Sequence, residues 1–367
     1  MKNDFYAVVM AGGRGERFWP QSRTSRPKQL LRLIGNLTLI EQAVERLNPL
    51  VDKENTLIIT NQDYMGPMRS LMPQLPPDNI IGEPFGRDTA PCVALAVGLV
   101  RAESDDDDNA VMFVLPSDQV IRDSAAMRRV LSDAGEMARE SGKIITIGVT
   151  PAYSSTGYGY IKCGEPVSAP CSTVFRRSEG FREKPDAETV ERMLADGTYR
   201  WNSGIFVWSV GTIMAAFRRH APALAAMADT VCRARQNGTL NDTMLEEYGK
   251  CDRISIDYAV MEKLAAADVL VAESTFDWDD VGSWTSLRNQ MKLDGDNNAI
   301  RGLYEGIGVH DSIIVGDSNH LIAAVDIDNM IIVHTEDATL ICKTSSAQRI
   351  KELVNKIAAD PDLGSFI

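Results

Sequence analysis

Apolar runs alternate with amphipathic stretches through the first 150 residues, and that alternation constrains the fold more than any other feature of the chain. "YAVVMA" (6–11), "TLIIT" (56–60), "AVMFVLPSD" (110–118) and "KIITIGV" (143–149) are short unbroken apolar segments, as strands buried on both faces are. Between them, "TLIEQAVERL" (38–47) places apolar residues at 39, 40, 43, 44 and 47, the spacing of a helix with one buried face. "APCVALAVGLVRAE" (90–103), with Pro91 in its first turn, and "AAMRRVLSDAGEMARE" (125–140) read as further helices. Strand, helix, strand, helix predicts an α/β fold with a mostly parallel sheet. Ligands bind such sheets beyond the carboxyl ends of the strands.

Later segments are more mixed. "YGYIKCGEP", "VFRRSEGFREKPD" and "WNSGIFVWSV" predict strands, and 186–197 and 211–228 predict helices. After "LDGDNNAIRG" (293–302), short apolar runs at 312–315, 321–325, 330–333 and 339–342 predict an all-β module of closely spaced rungs or hairpins. "SSAQRIKELVNKIAAD" then predicts a terminal helix behind a Ser cap, with Ile350, Leu353, Val354 and Ile357 on one face. The expected domains are 1–292 and 293–367.

Charge narrows the partners. The net charge of −13 argues against a broad nucleic-acid surface, and no apolar run reaches a membrane span. The N-terminal residues have no signal-peptide layout. Six Cys without CxxC or metal-finger spacing suit a reducing, cytoplasmic setting. The "DDDD" at 105–108 joins a helix to a strand and is expected to be a solvated loop.

Against this acidic background, Arg14, Arg17, Arg23, Arg26, Lys28 and Arg32 are opposed only by Glu16. They follow Ala11, Gly12, Gly13 and Gly15 directly after the first strand, an arrangement that offers bare backbone N–H groups and then cations to a compact anion. The loop is neither of the two common phosphate motifs. No Lys-Ser or Lys-Thr follows at P-loop spacing, and Phe18 stands where a dinucleotide fingerprint needs its third glycine. Pro20 interrupts any helix there.

"AGGRGERFWPQSRTSRPKQ" (11–29) resembles the signature loop of the sugar-1-phosphate nucleotidyltransferases, whose pattern is GGxGxR, then P, then PK. "LPSD" (115–118), "TGYGYI" (156–161), "REKPD" (182–186), "WNSGIFVW" (201–208) and "DWDDVGSW" (277–284) are similar to later family motifs in the same order. With "GEPFGRDTAP" (82–91), their wording is closest to the branch that acts on GTP and mannose 1-phosphate, and the likeness runs from about residue 5 to 345. It implies a Rossmann-like nucleotide-diphospho-sugar transferase domain followed by a small β-helix-like module.

The implied chemistry joins two polyanions. A sugar phosphate is itself an anionic nucleophile, since its second pKa is about 6, so no general base is required. His220, His310, His320 and His334 lie outside every motif, which agrees. Charge neutralisation and alignment are what remain to be supplied. The resemblance gives Asp118 and Asp280 the task of holding Mg²⁺, with Asp280 preferred to Asp279 because it lies two residues before Gly282. It gives Arg17 the departing pyrophosphate and Lys28 the α-phosphate, while Arg14, Arg23 and Arg26 would only add field.

Lys184 would hold the sugar phosphate, Glu183 sugar hydroxyls and Asn202 the ring, with Gly204 leaving space. On a regular strand Glu183 and Lys184 would face opposite ways; a turn at Pro185 would bring both to the ligand. Gly157, Tyr158 and Gly159 would let backbone amides reach the hexose, or else form a plain β-turn. A guanine pocket needs acceptors, which Glu83 and Asp88 offer near Gly12 and Gly13; Asp88 serves equally as N-cap of the helix at 90–103, and the two roles are compatible.

Two departures stand out. Glu16 replaces the Thr common in the family, and we expect it to turn away from the triphosphate. Longer members of this branch carry an isomerase domain after the β module, and ending at Ile367 implies a single activity. A short β-helix leaves an apolar end uncovered, which predicts a homodimer.

Overall fold

The computed structural model describes residues 4–106 and 108–367. In chain order it begins with β1 (Phe5–Ala11), α1 (Leu39–Glu45), β2 (Thr56–Asn61), α2 (Met65–Leu71), β3 (Ile80–Glu83), α3 (Thr89–Glu103) and β4 (Val111–Pro116). The two-residue β5 (Gln119–Val120) precedes α4 (Ser124–Ser141), β6 (Ile144–Val149), β7 (Tyr160–Val167), β8 (Phe175–Arg182), α5 (Ala187–Asp196) and β9 (Tyr199–Ser209). Next come α6 (Val210–His220), α7 (Pro222–Asn237), α8 (Leu240–Lys250), α9 (Ile256–Ala259) and β10 (Val269–Glu273). The chain closes with β11 (Asp279–Asp280), α10 (Trp284–Arg288), β12 (Ala299–Arg301), β13 (Leu303–His310), β14 (Ile313–Val315), β15 (Leu321–Asp328), β16 (Met330–His334), β17 (Thr339–Lys343) and α11 (Ile350–Ala358).

These elements form two compact units. The first comprises the described residues of Met1–Gly12, Ala43–Ser117 and Ile121–Trp278; the second comprises Gly13–Gln42, Asp118–Val120 and Asp279–Ile367. Compactness therefore groups the chain differently from a cut at residue 292.

In the first unit, nine strands pair in the order β3-β2-β1-β4-β9-β6-β10-β8-β7. The first four are mutually parallel, as the strand–helix alternation demands. From β9 onward the sheet is mixed: β9 is antiparallel to β4, β6 and β7, and only β6 and β10 pair in parallel. Val8, Leu57 and Val114 lie in register across β1, β2 and β4 and are fully buried, which is why those segments lack polar alternation. On α3, every residue from Ala90 to Val100 is buried. The helix expected over 211–228 is broken in two, because Pro222 has no N–H to continue α6 and instead opens α7. Asp105, Asp106 and Asp108 are exposed, as expected of a solvated loop; Asp107 and residues 1–3 lie outside the described residues.

In the second unit, β12, β14 and β16 stack in parallel, and β13 stacks on β15. Ile313 pairs with Ile331 and Leu303 with Leu321, so one coil is eighteen residues long, and the closer spacing of the apolar runs reflects two faces per coil. Corners are made by Asn297, Asp311 and Asn329 in left-handed backbone, which Asn and Asp tolerate best among residues with a Cβ, and Asp326 takes the same conformation within β15. β17 closes the stack antiparallel to β16. The expected Ser cap of α11 is absent: Ser345 and Ser346 lie inside a 3₁₀ turn, and the helix starts at Ile350 without a side-chain cap. Ile350 and Val354 enter the core of this unit, while Leu353 is exposed. No helix among the described residues is long and apolar enough to cross a membrane.

Candidate active site

The glycine-rich loop of the second unit is tied to a buried lysine. Gly15 has φ +67°, and a Cβ there would lie 2.1 Å from Lys28 Cβ, so the crossing of the two segments requires glycine. Ser22 Oγ donates to the Gly15 carbonyl at 2.8 Å and holds the bend. Pro27 is extended and leads into a turn over Lys28–Leu30. Lys28 is only 5% exposed; its Nζ donates to Asp118 Oδ2 at 2.9 Å and lies 5.5 Å from the centre of the buried Phe18 ring.

Asp118 leads into β5, which pairs antiparallel with β11 so that Asp280 faces Gln119 and Asp279 faces Val120. Burial lifts the Asp280 carboxyl above the ordinary carboxylate range, and the charge of Asp118 adds to this; Lys28 and Arg17 oppose it. Asp279 Oδ2 accepts from Gln290 Nε2 at 2.5 Å, and the Asp279 charge also raises Asp280.

The other loop charges separate into two kinds. Arg23 is structural, its guanidinium 2.6 Å from Asp337 Oδ1 and stacked on Trp19. Glu16 does turn away, to Lys351 on α11 at 3.3 Å. Trp19 Nε1 donates to the Phe366 carbonyl at 2.8 Å. Arg14, Arg17, Arg26 and Arg32 are exposed. Among the described residues no group of three or more His, Cys, Asp or Glu side chains forms a metal cage. Two hard-oxygen donors whose charges repel do fit a divalent ion whose remaining ligands are phosphate oxygens and water.

In the first unit, β3 ends on Glu83, which is 5% exposed. Its Oε2 is 3.1 Å from where a Gly12 Cβ would be, which puts the carboxylate against the backbone that leaves β1. Thr60 Oγ1 donates to the Ala11 carbonyl at 2.9 Å and anchors that end. Tyr248 Oη donates to Glu83 Oε1 at 3.0 Å. Burial pushes Glu83 up to about 7, only partly offset by Tyr248. Asp88 is exposed and caps α3 through a 2.8 Å bond from Thr89 N.

Elsewhere in the first unit, Lys184 has φ +43°, a left-handed turn just past β8. That turn brings the neighbouring side chains together: Lys184 Nζ is 2.6 Å from Glu183 Oε1. Burial pulls the lysine pKa down, but Glu183 more than restores it. Glu183 Oε2 lies 2.4 Å from where a Gly159 Cβ would be, and Asn202 N donates to the Gly159 carbonyl at 2.8 Å. Glu183, Lys184, Gly159 and Asn202 are therefore one cluster. Gly157 N donates to Ser155 Oγ at 3.3 Å, a local turn, and Tyr158 stands edge-on to Trp201 and Trp278.

Residues 6–297 match the nucleotidyl transferase family. The chain belongs to that family. Residues 305–357 of this nucleotidyl transferase match the MannoseP isomerase/GMP-like beta-helix domain. It is 35% identical to a mannose-1-phosphate guanylyltransferase of Escherichia coli K12 over 98% of its own length and 74% of the relative's. It is 36% identical to mannose-1-phosphate guanylyltransferase ManC of Salmonella typhimurium, over 97% and 73%. A solved structure from Thermus thermophilus, described as a mannose-1-phosphate geranyltransferase, superposes with a TM-score of 0.82 at 33% identity, covering 97% of this chain and 100% of that one.

Two polar residues of this nucleotidyl transferase escaped the sequence reading, Tyr248 and Asp257. Tyr248 lies on a helix that the sequence reading passed over, 165 residues from Glu83. The Asp257 carboxylate accepts from Asn202 Nδ2 at 3.0 Å across 55 residues. The only local signal in "SIDY" is the Ser255 cap, whose Oγ accepts from Tyr258 N.

Proposed function

We propose that this nucleotidyl transferase moves GMP from GTP to mannose 1-phosphate, giving GDP-mannose and pyrophosphate. The observation that carries the chemistry is the buried Lys28 ammonium bonded to Asp118, with Asp280 alongside. A buried cation beside two mutually repelling carboxylates suits a centre that neutralises phosphates rather than one that moves protons. The names of the relatives, over nearly the whole chain, support the choice of GTP and mannose 1-phosphate.

In this reading an oxygen of the sugar phosphate bonds to the α-phosphorus of GTP. The bond from that phosphorus to the oxygen bridging to the β-phosphate breaks, and pyrophosphate leaves with the electron pair. Lys28 neutralises the α-phosphate, Arg17 the departing pyrophosphate, and the N–H groups of Gly12, Gly13 and Gly15 line the phosphate path after Ala11. Asp118 and Asp280 would hold Mg²⁺, which supplies charge neutralisation on both phosphates. Glu83 accepts from the guanine N1–H and N2–H₂, with Asp88 adding negative potential from its cap position. Lys184 holds the sugar phosphate; Glu183, Asn202 and the Gly157–Tyr158 turn contact the hexose.

The 1–292 part is the catalytic domain and 293–367 the β-helical module, a division supported by family matches that meet between 297 and 305. The site of action is the cytoplasm. The protein acts as a homodimer, supported by an apolar row on the β13–β15 ribbon: Leu303, Ile307, Leu321 and Val325 are 49%, 71%, 57% and 62% exposed. This row lies on a side face of the coil rather than at the predicted uncovered end.

Pyrophosphate release with Mg²⁺, measured for four NTPs crossed with mannose, glucose and fucose 1-phosphates, tests the assignment. The expected result is turnover confined to GTP with mannose 1-phosphate and abolished in Asp280→Asn. Turnover with another pair would overturn the substrate assignment, and no turnover from folded protein would overturn the activity.

A further inference from the structure

Asn202 has little capacity left for a ligand. Its Oδ1 accepts from Thr146 Oγ1 at 3.1 Å and from Gly204 N at 3.2 Å, and its Nδ2 donates to Asp257 Oδ1 at 3.0 Å. A carboxamide has two donors and two acceptor positions, so three of four are occupied and one N–H remains. A hexose hydroxyl ring needs more than one donor to be recognised, and several of its hydroxyls call for acceptors.

The acceptors stand next to Asn202. Asp257 is half-buried on α9 and feels the charges of both Glu183 and Lys184. We propose that Asp257 is a specificity-determining residue of the sugar subsite, fixing the Asn202 amide through one carboxylate oxygen and, with Glu183, accepting hydrogen bonds from hexose hydroxyls. Burial and then the nearby Glu183 charge push Asp257 up to about 6, although its own backbone N–H, Lys184 and Asn202 oppose the rise; further donors to the carboxylate would lower it again. Sugar hydroxyls supply those donors. The Lys184 ammonium offsets part of the paired negative charge and keeps a cation for the sugar's phosphate. This inference rests on the reading of Lys184 and Asn202 as sugar-phosphate residues.

The test compares Asp257→Asn and Asp257→Ala with Lys184→Ala and the unmodified protein. The measurements are kcat and KM for GTP, for mannose 1-phosphate and for its C2 epimer, glucose 1-phosphate, with thermal unfolding as the check on folding. Losing a hydrogen bond to a charged acceptor costs on the order of 10- to 100-fold. We expect that loss in kcat/KM for mannose 1-phosphate in both Asp257 variants, a reduced preference over the epimer, and a KM for GTP unchanged within about twofold. If KM for GTP and for the sugar phosphate rise together, Asp257 is only structural and the inference fails. It fails equally if both variants keep the sugar KM and the epimer preference while Lys184→Ala raises the sugar KM. If Lys184→Ala also leaves the sugar KM unchanged, the underlying assignment of the subsite fails with it.

Discussion

Under the proposed guanine role, Glu83 would couple recognition to pH, because it is a carboxyl held against apolar surroundings with one phenol as donor. Its pKa of about 7 stands above an ordinary value near 4.5. The folded protein therefore binds more protons than the unfolded chain between those values, and stability falls as pH rises through that window, by on the order of 3 kcal/mol. Glu83→Gln cannot ionise, so its stability relative to the unmodified protein should increase from pH 5 to pH 8; parallel thermal melts at both values check this. Guanine N–H groups need the carboxylate form. KM for GTP should rise as pH falls below about 7 in the unmodified protein and stay flat in the variant.

Lys28 gives a second prediction at this scale. Lys28→Met keeps the apolar stem over Phe18 but leaves Asp118 without its cation. Steady-state kinetics should show kcat lower by roughly 10²- to 10³-fold, as for removal of one group that stabilises developing charge. Lys28 could be singled out in the sequence, from the PK that follows the glycine loop, and the structure finds it buried on Asp118. The contact of Tyr248 with Glu83 could not be read there, because a tyrosine on an amphipathic helix has the same local pattern whether its hydroxyl meets water or a buried carboxylate.

Among the elements, the signature loop was readable from its glycines, yet its register was not. Gly15 allows Lys28 to cross at contact distance, and any side chain there meets both a positive φ and the Lys28 Cβ. Gly15→Ala should destabilise the fold by about 1–3 kcal/mol and lower kcat by displacing Lys28; denaturant melts and kinetics on the same preparation measure both. β5 and β11 are two residues each, below what periodicity detects, and their pairing is what sets Asp280 opposite Gln119 beside Asp118. The turn at Lys184 is another case. Strand alternation would have split Glu183 from Lys184, and one residue in left-handed backbone reverses that outcome.

For the whole molecule, the β13–β15 ribbon pairs Leu303 with Leu321 and Ile307 with Val325 on its exposed face. Such a row is unusual on a monomer. Light scattering at micromolar concentration should give a dimer mass, and Ile307→Lys with Val325→Lys, which sets two like charges side by side, should give the monomer. A monomer mass for the unmodified protein would count against the homodimer.

The sequence by itself determined the parallel strand–helix frame, the glycine loop with its cations and the β coil, because each depends on periodicity or on residue types close together in the chain. Tertiary structure alone decided that Tyr248 meets Glu83, that Asp257 meets Asn202, and that Arg23 belongs to Asp337 rather than to a ligand. Those pairings span 165, 55 and 314 residues. No local pattern encodes them, since burial and hydrogen-bond satisfaction at such distances depend on which surfaces the packed elements bring face to face.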